Sequence, residues 1–491
     1  MVNSNLAHRF AITPESTVTI DEAPVKWCTV SLSEIIERGK RLEASVYDVE
    51  AKQAREIIAN GKYPLIKLGG EGGLTISYTG ARFKRLWVEK SEFPIYQPST
   101  IMDIKPSPDG YISALTDTDI DALRVSKGQV LMTCSGTIGK VSYVSNTLDH
   151  LIFSHDLLRI NCKKPSDAGY VYAYLKSKVG NKILLTNSYG AVITHIEPEH
   201  LETVPIPDAP ESVKSKVSDF IIRSYHLRDE SNALIDRATR MLIDELQLPE
   251  INEFDVNDFK KGASVETFSV KLSDMDCRLD ASYHVPIVDA ITNHFKKHAE
   301  EVTTVGDIRI SKAVVLPGRF KRVYVDKGHG YVLFGGKQLY QLDPSGEKYL
   351  SKSKHGERIA EELLIAENTT LITRSGTIGK VALAPKHWSN WIASEHIIRV
   401  VPASKDIAGY NYIFLFSDYG RTLIQHFTYG AVVDEIDATH VKRIPIPLLK
   451  NHDVQLQIST LALEANEKRY EAYKLEQKAL EIMDKEIIYA K

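Results

Sequence analysis

The stretch "CSGTIGKV", Cys134 to Val141, is written a second time as "RSGTIGKV", Arg374 to Val381, and the repetition runs far beyond this loop. From Ser135 to Pro207 the copy stands 240 residues further on: Ser154 meets Ser394, Ala168-Gly169-Tyr170 meets Ala408-Gly409-Tyr410, and Tyr189-Gly190-Ala191-Val192 meets Tyr429-Gly430-Ala431-Val432. Pro205-Ile206-Pro207 then meets Pro445-Ile446-Pro447. Upstream the offset is 237, with "RLEAS" at Arg41 facing "RLDAS" at Arg278 and "RFKRLWV" at Arg82 facing "RFKRVYV" at Arg319. Solenoid repeats run about 20 to 50 residues, so a period this long is a duplicated domain. The chain must therefore fold one architecture twice.

Each copy has the same internal order, a mixed region followed by a long helical segment. After "PIPDAP" the chain from Glu211 to Leu248 lacks Gly and Pro, and Val213, Val217, Phe220, Ile221, Ser224 and Leu227 recur at three- and four-residue steps. Leu234, Ile235, Ala238, Met241 and Leu242 continue the stripe, which predicts one helix with a buried face and a length of roughly 57 Å. His452 to Lys491 repeats the pattern through Val454, Ile458, Leu461, Ala462, Leu475, Ala479, Ile482 and Met483. An exposed apolar stripe needs another helix, and each helix can cover the other as a coiled-coil-like pair. Under pseudo-twofold symmetry the pair runs antiparallel. The globular regions read as mixed α/β, or α+β, with short strands such as "QVLMTCS", "TTLITRS", "HDLLRINC" and "EHIIRVVP", and a short helix or two after Gly169 and Gly409. The expected divisions are an N-terminal extension (1–26), a first domain (27–208), a central helix (209–248), a linker (249–266), a second domain (267–450) and a C-terminal helix (451–491).

With 491 residues, 43% of them apolar and 25% charged, each copy can bury a core. No run approaches the roughly 18 apolar residues of a membrane span, and "MVNSNLAHRFAITPEST" lacks a signal-peptide core, so the expectation is a cytoplasmic protein with no membrane contact. Cys28, Cys134, Cys162 and Cys277 form no C-x-x-C pair, which argues against a disulfide framework or a zinc site. A net charge of -3 argues against holding nucleic acid by bulk charge, so any such role needs local patches.

Chemical motifs thin out on inspection. "SGTIGK" fails as a phosphate-binding P-loop because Cys134 or Arg374 stands where Gly is needed and Val141 or Val381 where Ser or Thr is needed. It reads as a turn eased by Gly136 and Gly139, as a loop whose N–H groups, with Ser135, Thr137 and Lys140 and their mates Ser375, Thr377 and Lys380, meet a phosphate, or as a partner-docking loop. Ser154-His155-Asp156 is no hydrolytic triad, since neighbours on a strand face opposite ways and the copy reads Ser394-Glu395-His396. His200 and His440 read as structural. "RFKR" sets Arg82, Lys84 and Arg85, and again Arg319, Lys321 and Arg322, around Phe83 and Phe320. It reads as a solvated strand or as a phosphate-contacting patch. Arg159 to Lys182 is a further basic stretch in the first copy.

The ordered boxes "RLDA", "SGTIGK", "GA" and "PIP", repeated and each followed by a long helix, resemble the specificity subunits of Type I restriction-modification systems. The resemblance covers nearly the whole chain. The departures are Glu43 for Asp in the first "RLDA" box and Cys134 against Arg374. The family implies two tandem target-recognition domains joined by two long antiparallel helices, binding double-stranded DNA at a bipartite asymmetric site. It implies a non-catalytic chain without a cofactor of its own. Its expected partners are two adenine-N6 methyltransferase subunits, carrying S-adenosylmethionine, and, in restriction complexes, motor-nuclease subunits that use ATP and Mg. Two rivals stay open: service to a bipartite-site Type II or other defence complex, and a coiled-coil assembly scaffold without DNA binding.

Under that resemblance, residues common to both copies cannot by themselves distinguish two half-sites. The shared "RFKR" and "SGTIGK" residues are therefore assigned to frame or phosphate. Base reading is expected where the copies differ: Cys134 against Arg374, Thr194-His195 against Asp434-Glu435, and Tyr96–Asp103 against Phe334–Gln341. Arg374 could grip guanine and Glu435 could accept from cytosine.

Overall fold

The computed structural model describes residues 27–190, 193–254, 268–276, 278–344, 348–430 and 432–491. The N-terminal extension, most of the expected linker, Cys277 and Ala191, Val192 and Ala431 of the "GA" boxes lie outside the described residues. The chain forms two compact units, one reaching to Asp229 and including Glu471–Lys491, the other Glu230–Tyr470. The division falls inside each long helix, so that each helix gives one part to either unit.

Both units carry the same three sheets in the same order. In the first, a four-stranded antiparallel sheet runs Thr75–Thr79, Leu157–Cys162, Val130–Thr133, Val141–Tyr143. A mixed sheet runs Trp87–Val88, Gly110–Ile112, Pro94–Tyr96, Ile152–Phe153, and Leu65–Lys67 pairs with Pro205–Pro207. The second unit repeats this as Ser311–Val315, Ile397–Pro402, Thr370–Thr373, Val381–Leu383; as Tyr324–Val325, Lys348–Ser351, Gly330–Phe334, Ile392–Ala393; and as Glu301–Thr304 with Pro445–Leu448. The prolines of the "PIP" boxes sit on two-stranded ribbons, where a missing N–H is tolerated. Their carbonyls also tie each ribbon to a helix, since Pro207 and Pro447 accept the hydroxyls of Tyr170 and Tyr410, both at 2.6 Å.

The central strands alternate between two cores rather than between core and water. Val130 and Met132 join one cluster, with the helix Ala168–Lys176, while Leu131 joins another under the mixed sheet. Ile372 and Leu371 divide likewise. That helix is buried on nearly every side, and Gly169 lets it approach the central helix: a Cβ there would lie 2.5 Å from Ser218 Cα. At Gly409 the Cβ would meet the Ser459 carbonyl oxygen at 2.1 Å.

The central helix spans Glu211–Glu245, 35 residues or about 52 Å, slightly shorter than its periodicity suggests. The C-terminal helix is α-helical over His452–Ile482 and then widens into a π-helical turn, Met483–Ile488, burying Met483, Ile487 and Ile488 in the first unit's core. Within that unit the two segments run antiparallel, Lys216 facing Glu486 at 3.5 Å and Arg228 pairing with Glu476. The helix contact there is not wholly apolar: Glu476 is fully buried and also takes Lys176 at 2.5 Å. No described helix is long and apolar enough to cross a membrane.

Candidate nucleic-acid interface

The "SGTIGK" loop is a tight clamp in both units. Gly136 and Gly139 hold φ of 68° and 81°, and Gly376 and Gly379 hold 75° and 85°, a region that favours glycine. Thr133 Oγ1 donates to the Thr137 carbonyl at 2.6 Å and accepts Lys140 N–H at 3.1 Å; Thr373 repeats both contacts with Thr377 and Lys380 at 2.5 and 3.0 Å. The N–H groups of Gly139 and Gly379 are committed to carbonyls of Thr133 and Thr373. The exposed parts are Gly136-Thr137 and Gly376-Thr377, with Ser135, Lys140, Ser375 and Lys380 half-buried.

The loop after the Tyr-Gly box docks against this clamp. Ser135 bridges His195 and Ser375 bridges Glu435, while His195 and Glu435 also pair with Tyr189 and Tyr429. The backbone of His195 and Glu435 is thereby fixed beside the clamp. Thr194 and Asp434 stay exposed next to them, and Ile193 and Val433 project apolar groups that are 54% and 56% exposed. The "RLDA" boxes hold the other side of this loop: Arg41 donates to the Ser188 carbonyl at 2.7 Å and Arg278 to that of Thr428 at 2.8 Å. Glu43 and Asp280 serve alike as partners of these arginines, at 3.1 and 2.5 Å. His200 and His440 close capping boxes at the following short helices.

In the second unit a cleft of about 620 Å³ opens between the clamp and the stretch Phe334–Gln338. Its wall carries Arg322, Lys337, Lys348 and Lys380, and its floor Leu333, Phe334 and Thr373. Aromatic rings support several of these cations: Lys380 lies 5.2 Å from the Tyr340 ring and Lys348 lies 5.5 Å from Tyr324. A concave, cationic, hydroxyl-bearing surface without a lining carboxylate suits a phosphodiester backbone and the base edges beside it.

The placement of individual residues revises several expectations. Cys134 is only 6% exposed, and burial pushes its thiol up to about 12, so it presents no group to a bound groove. Arg374 is not free either. Its guanidinium pairs with Glu435, whose other oxygen takes Arg319 at 2.8 Å. Arg374 and Glu435 are thus one ion-paired set, not two independent base readers. Arg82, Lys84, Arg319 and Lys321 are exposed, whereas Arg85 and Arg322 are half-buried. Arg322 is held by Glu395 at 2.5 Å, and Arg85 lies 5.8 Å from the Trp87 ring. "RFKR" is an extended segment ahead of a short strand rather than a strand itself, with Phe83 and Phe320 packed inward.

Arg159 leaves the basic surface altogether. Together with Arg399, its mate, it lies inside the sheet and donates to backbone carbonyls: Arg159 to Leu123 at 2.8 Å and Phe153 at 3.1 Å, Arg399 to Ala393 at 2.6 Å. Burial pulls the Arg399 guanidinium down to about 10, still protonated at neutral pH. Ser394-Glu395-His396 builds no triad: His396 Nδ1 meets Ser375 Oγ at 2.7 Å, but the Glu395 carboxylate is engaged by Arg322 and lies 3.8 Å from the ring. Among the described residues no cluster of His, Cys, Asp or Glu is arranged to hold a metal ion.

Sequence reasoning missed Lys348 and His396 as cleft residues. Lys337 lies in a stretch marked as differing between the copies, so divergence inside a common frame was a usable signal. Lys348 had none, because only strand pairing brings it there.

Residues 326–461 match the family model for the Type I restriction modification DNA specificity domain. Among solved structures, the Type-I restriction-modification system S subunit from M. genitalium aligns at 13% identity over 88% of this chain and 96% of that one, with a TM-score of 0.34. The HsdS subunit from Thermoanaerobacter tengcongensis aligns at 12% identity over 86% and 95%, with a TM-score of 0.25. No curated protein matches the sequence.

Proposed function

We infer that this chain, whose second unit contains a Type I restriction modification DNA specificity domain and whose first unit repeats that domain's sheets in the same order, is a DNA-specificity subunit of that family. Each unit reads one half of a split target. The observation that carries this reading is the cationic cleft beside the "SGTIGK" clamp, most of its lining inside the matched residues 326–461, with Phe334–Gln338 of a stretch that differs between the units among that lining. Ser135, Thr137, Lys140, Ser375, Thr377 and Lys380, with Arg82, Lys84, Arg85, Lys321 and Arg322, supply frame and phosphate contacts. Thr194, His195 and Asp434, exposed or half-exposed beside the clamp, meet bases.

The chain carries no catalysis of its own in this reading. Two adenine-N6 methyltransferase subunits bring S-adenosylmethionine, and motor-nuclease subunits bring ATP and Mg where cleavage occurs. Partners that surround the duplex also supply phosphate attraction, which fits a recognition chain of net charge -3. The test is single-molecule sequencing of DNA from cells expressing this chain with its methyltransferase. One split motif with methylated adenine is expected. A continuous motif overturns the two-half-site assignment, and unmethylated DNA with no motif overturns the function.

A further inference from the structure

We propose that Arg319 reads a guanine in the half-site bound by the second unit, and that Glu435, braced from behind by Arg374, aims it. The inference rests on the DNA-reading function proposed above and goes beyond it by assigning one base to one side chain.

The three side chains form a graded series from interior to surface. Arg374 is 11% exposed, Glu435 18% and Arg319 67%. Glu435 cannot drift: its N–H donates to the Tyr429 carbonyl at 2.7 Å, its carbonyl accepts Tyr429 N–H at 3.0 Å, and Ile436 N–H donates to the Arg374 carbonyl at 2.9 Å. One carboxylate oxygen faces Arg374 and the other takes Arg319 Nη2. A guanidinium has five N–H donors in a rigid fork, so one bond to Glu435 fixes its plane and leaves donors for guanine O6 and N7. Holding the fork in place before binding removes rotamer entropy that recognition would otherwise cost.

The carboxylate itself argues against a phosphate role for Arg319. An arginine that only grips phosphate gains nothing from a fixed anion beside it, which repels the backbone and weakens its local field. A base-reading arginine gains orientation. The first unit shows the contrast: Arg82 holds the same place, but the positions of Arg374 and Glu435 carry Cys134 and His195, neither of which offers it a carboxylate. Arg319 is therefore shared in type and unshared in setting, and this allows a residue common to both copies to read sequence in one of them.

The test uses the full chain with its methyltransferase subunits, selecting from randomised duplexes followed by sequencing. Arg319→Lys, a change at an exposed position, is expected to lower guanine preference at a single base pair of one half-site roughly 5- to 150-fold, leaving other positions intact. Glu435→Gln should lower preference at that same base pair while binding to random duplexes holds or rises. The double variant should be no less selective there than Arg319→Lys alone. A uniform loss over all sequences in Arg319→Lys, with a salt slope smaller by about 1, makes Arg319 a phosphate contact and overturns the inference. Unchanged preference in Glu435→Gln overturns the aiming role. A wild-type motif untouched by Arg319→Lys sinks this inference alone, whereas a wild type that selects no motif sinks the proposed function with it.

Discussion

Where the C-terminal helix lies on the first unit, Glu476 is buried between Lys176 and Arg228 and accepts the Tyr172 hydroxyl; at the matching place in the second unit, Ile235 of the central helix is buried in one core with Tyr412 and Phe416. The frame is otherwise the same. Burial alone would raise the Glu476 carboxyl, but the attraction of Lys176 and Arg228 overrides it and holds the group well below the usual range. A second pair of matched positions differs in the same way: Asp229 accepts Ser145 and Thr147 at 2.8 and 2.6 Å, whereas Tyr470 stacks on His387. The difference teaches that the two helices are not interchangeable. An apolar stripe tolerates sliding by a turn, while a buried charge set satisfied from two other elements accepts one register.

The largest expected effect comes from breaking that set. Glu476→Ala leaves two cations buried without their acid and should cost about 3–5 kcal/mol in urea unfolding. Replacing the set by apolar side chains, Lys176→Phe and Glu476→Ile after Phe416 and Ile235, with Arg228→Met to remove the remaining cation, should recover most of this loss. A triple variant as unstable as the single one would show that the two units are not equivalent at this place.

Next in size is the attempt to make the first unit read like the second. Cys134→Arg with His195→Glu should give Arg82 a braced carboxylate and create a guanine preference at one base pair of the first half-site, worth about 1–3 kcal/mol of discrimination. Selection from a randomised library checks it, and an unchanged motif would show that the brace needs more than these two residues.

One pH effect should come from a position that titrates in the second unit only. His426, stacked on Tyr283 at 4.4 Å, has its imidazole pulled down to about 4, first by burial and then by Arg278, His284 and Arg443, with Asp280 opposing. The unfolded chain takes up a proton near 6.5 that the folded chain refuses until about 4, so stability falls as pH drops through that window. The matching residue in the first unit is Thr186, which cannot titrate. His426→Phe keeps the stack and should lessen the fall of the melting temperature between those pH values; an unchanged slope would place the effect elsewhere.

The smallest effect should be equal in both units. Lys84→Ala and Lys321→Ala each remove one exposed cation from "RFKR", and each should weaken binding to all sequences a few-fold and reduce the salt slope by about 1. A selective loss at one base pair from either would move that lysine from backbone to base contact.

Much of the architecture was legible because duplication exposes it. A register kept from Ser135 to Pro207 requires one sheet order used twice, and the Gly-free stripe from Glu211 requires a helix. The candidate site was legible only in part. Comparing the copies found the stretch containing Lys337, but it treated Arg374 and Glu435 as separate readers and Arg159 as surface charge. Residue type cannot tell a guanidinium facing water from one holding carbonyls inside a sheet.

By itself the sequence determined that one domain is built twice, that each copy is followed by a long helix, and which residues the copies share, because periodicity and repetition are properties of the chain. Only the tertiary structure decided which charges are exposed and which are buried. Strand pairing brings Lys348 to the cleft, Glu435 joins the exposed Arg319 to the largely buried Arg374, and helix packing buries Glu476 between two cations. Burial and proximity arise between residues far apart in the chain, and a charge takes its role from them.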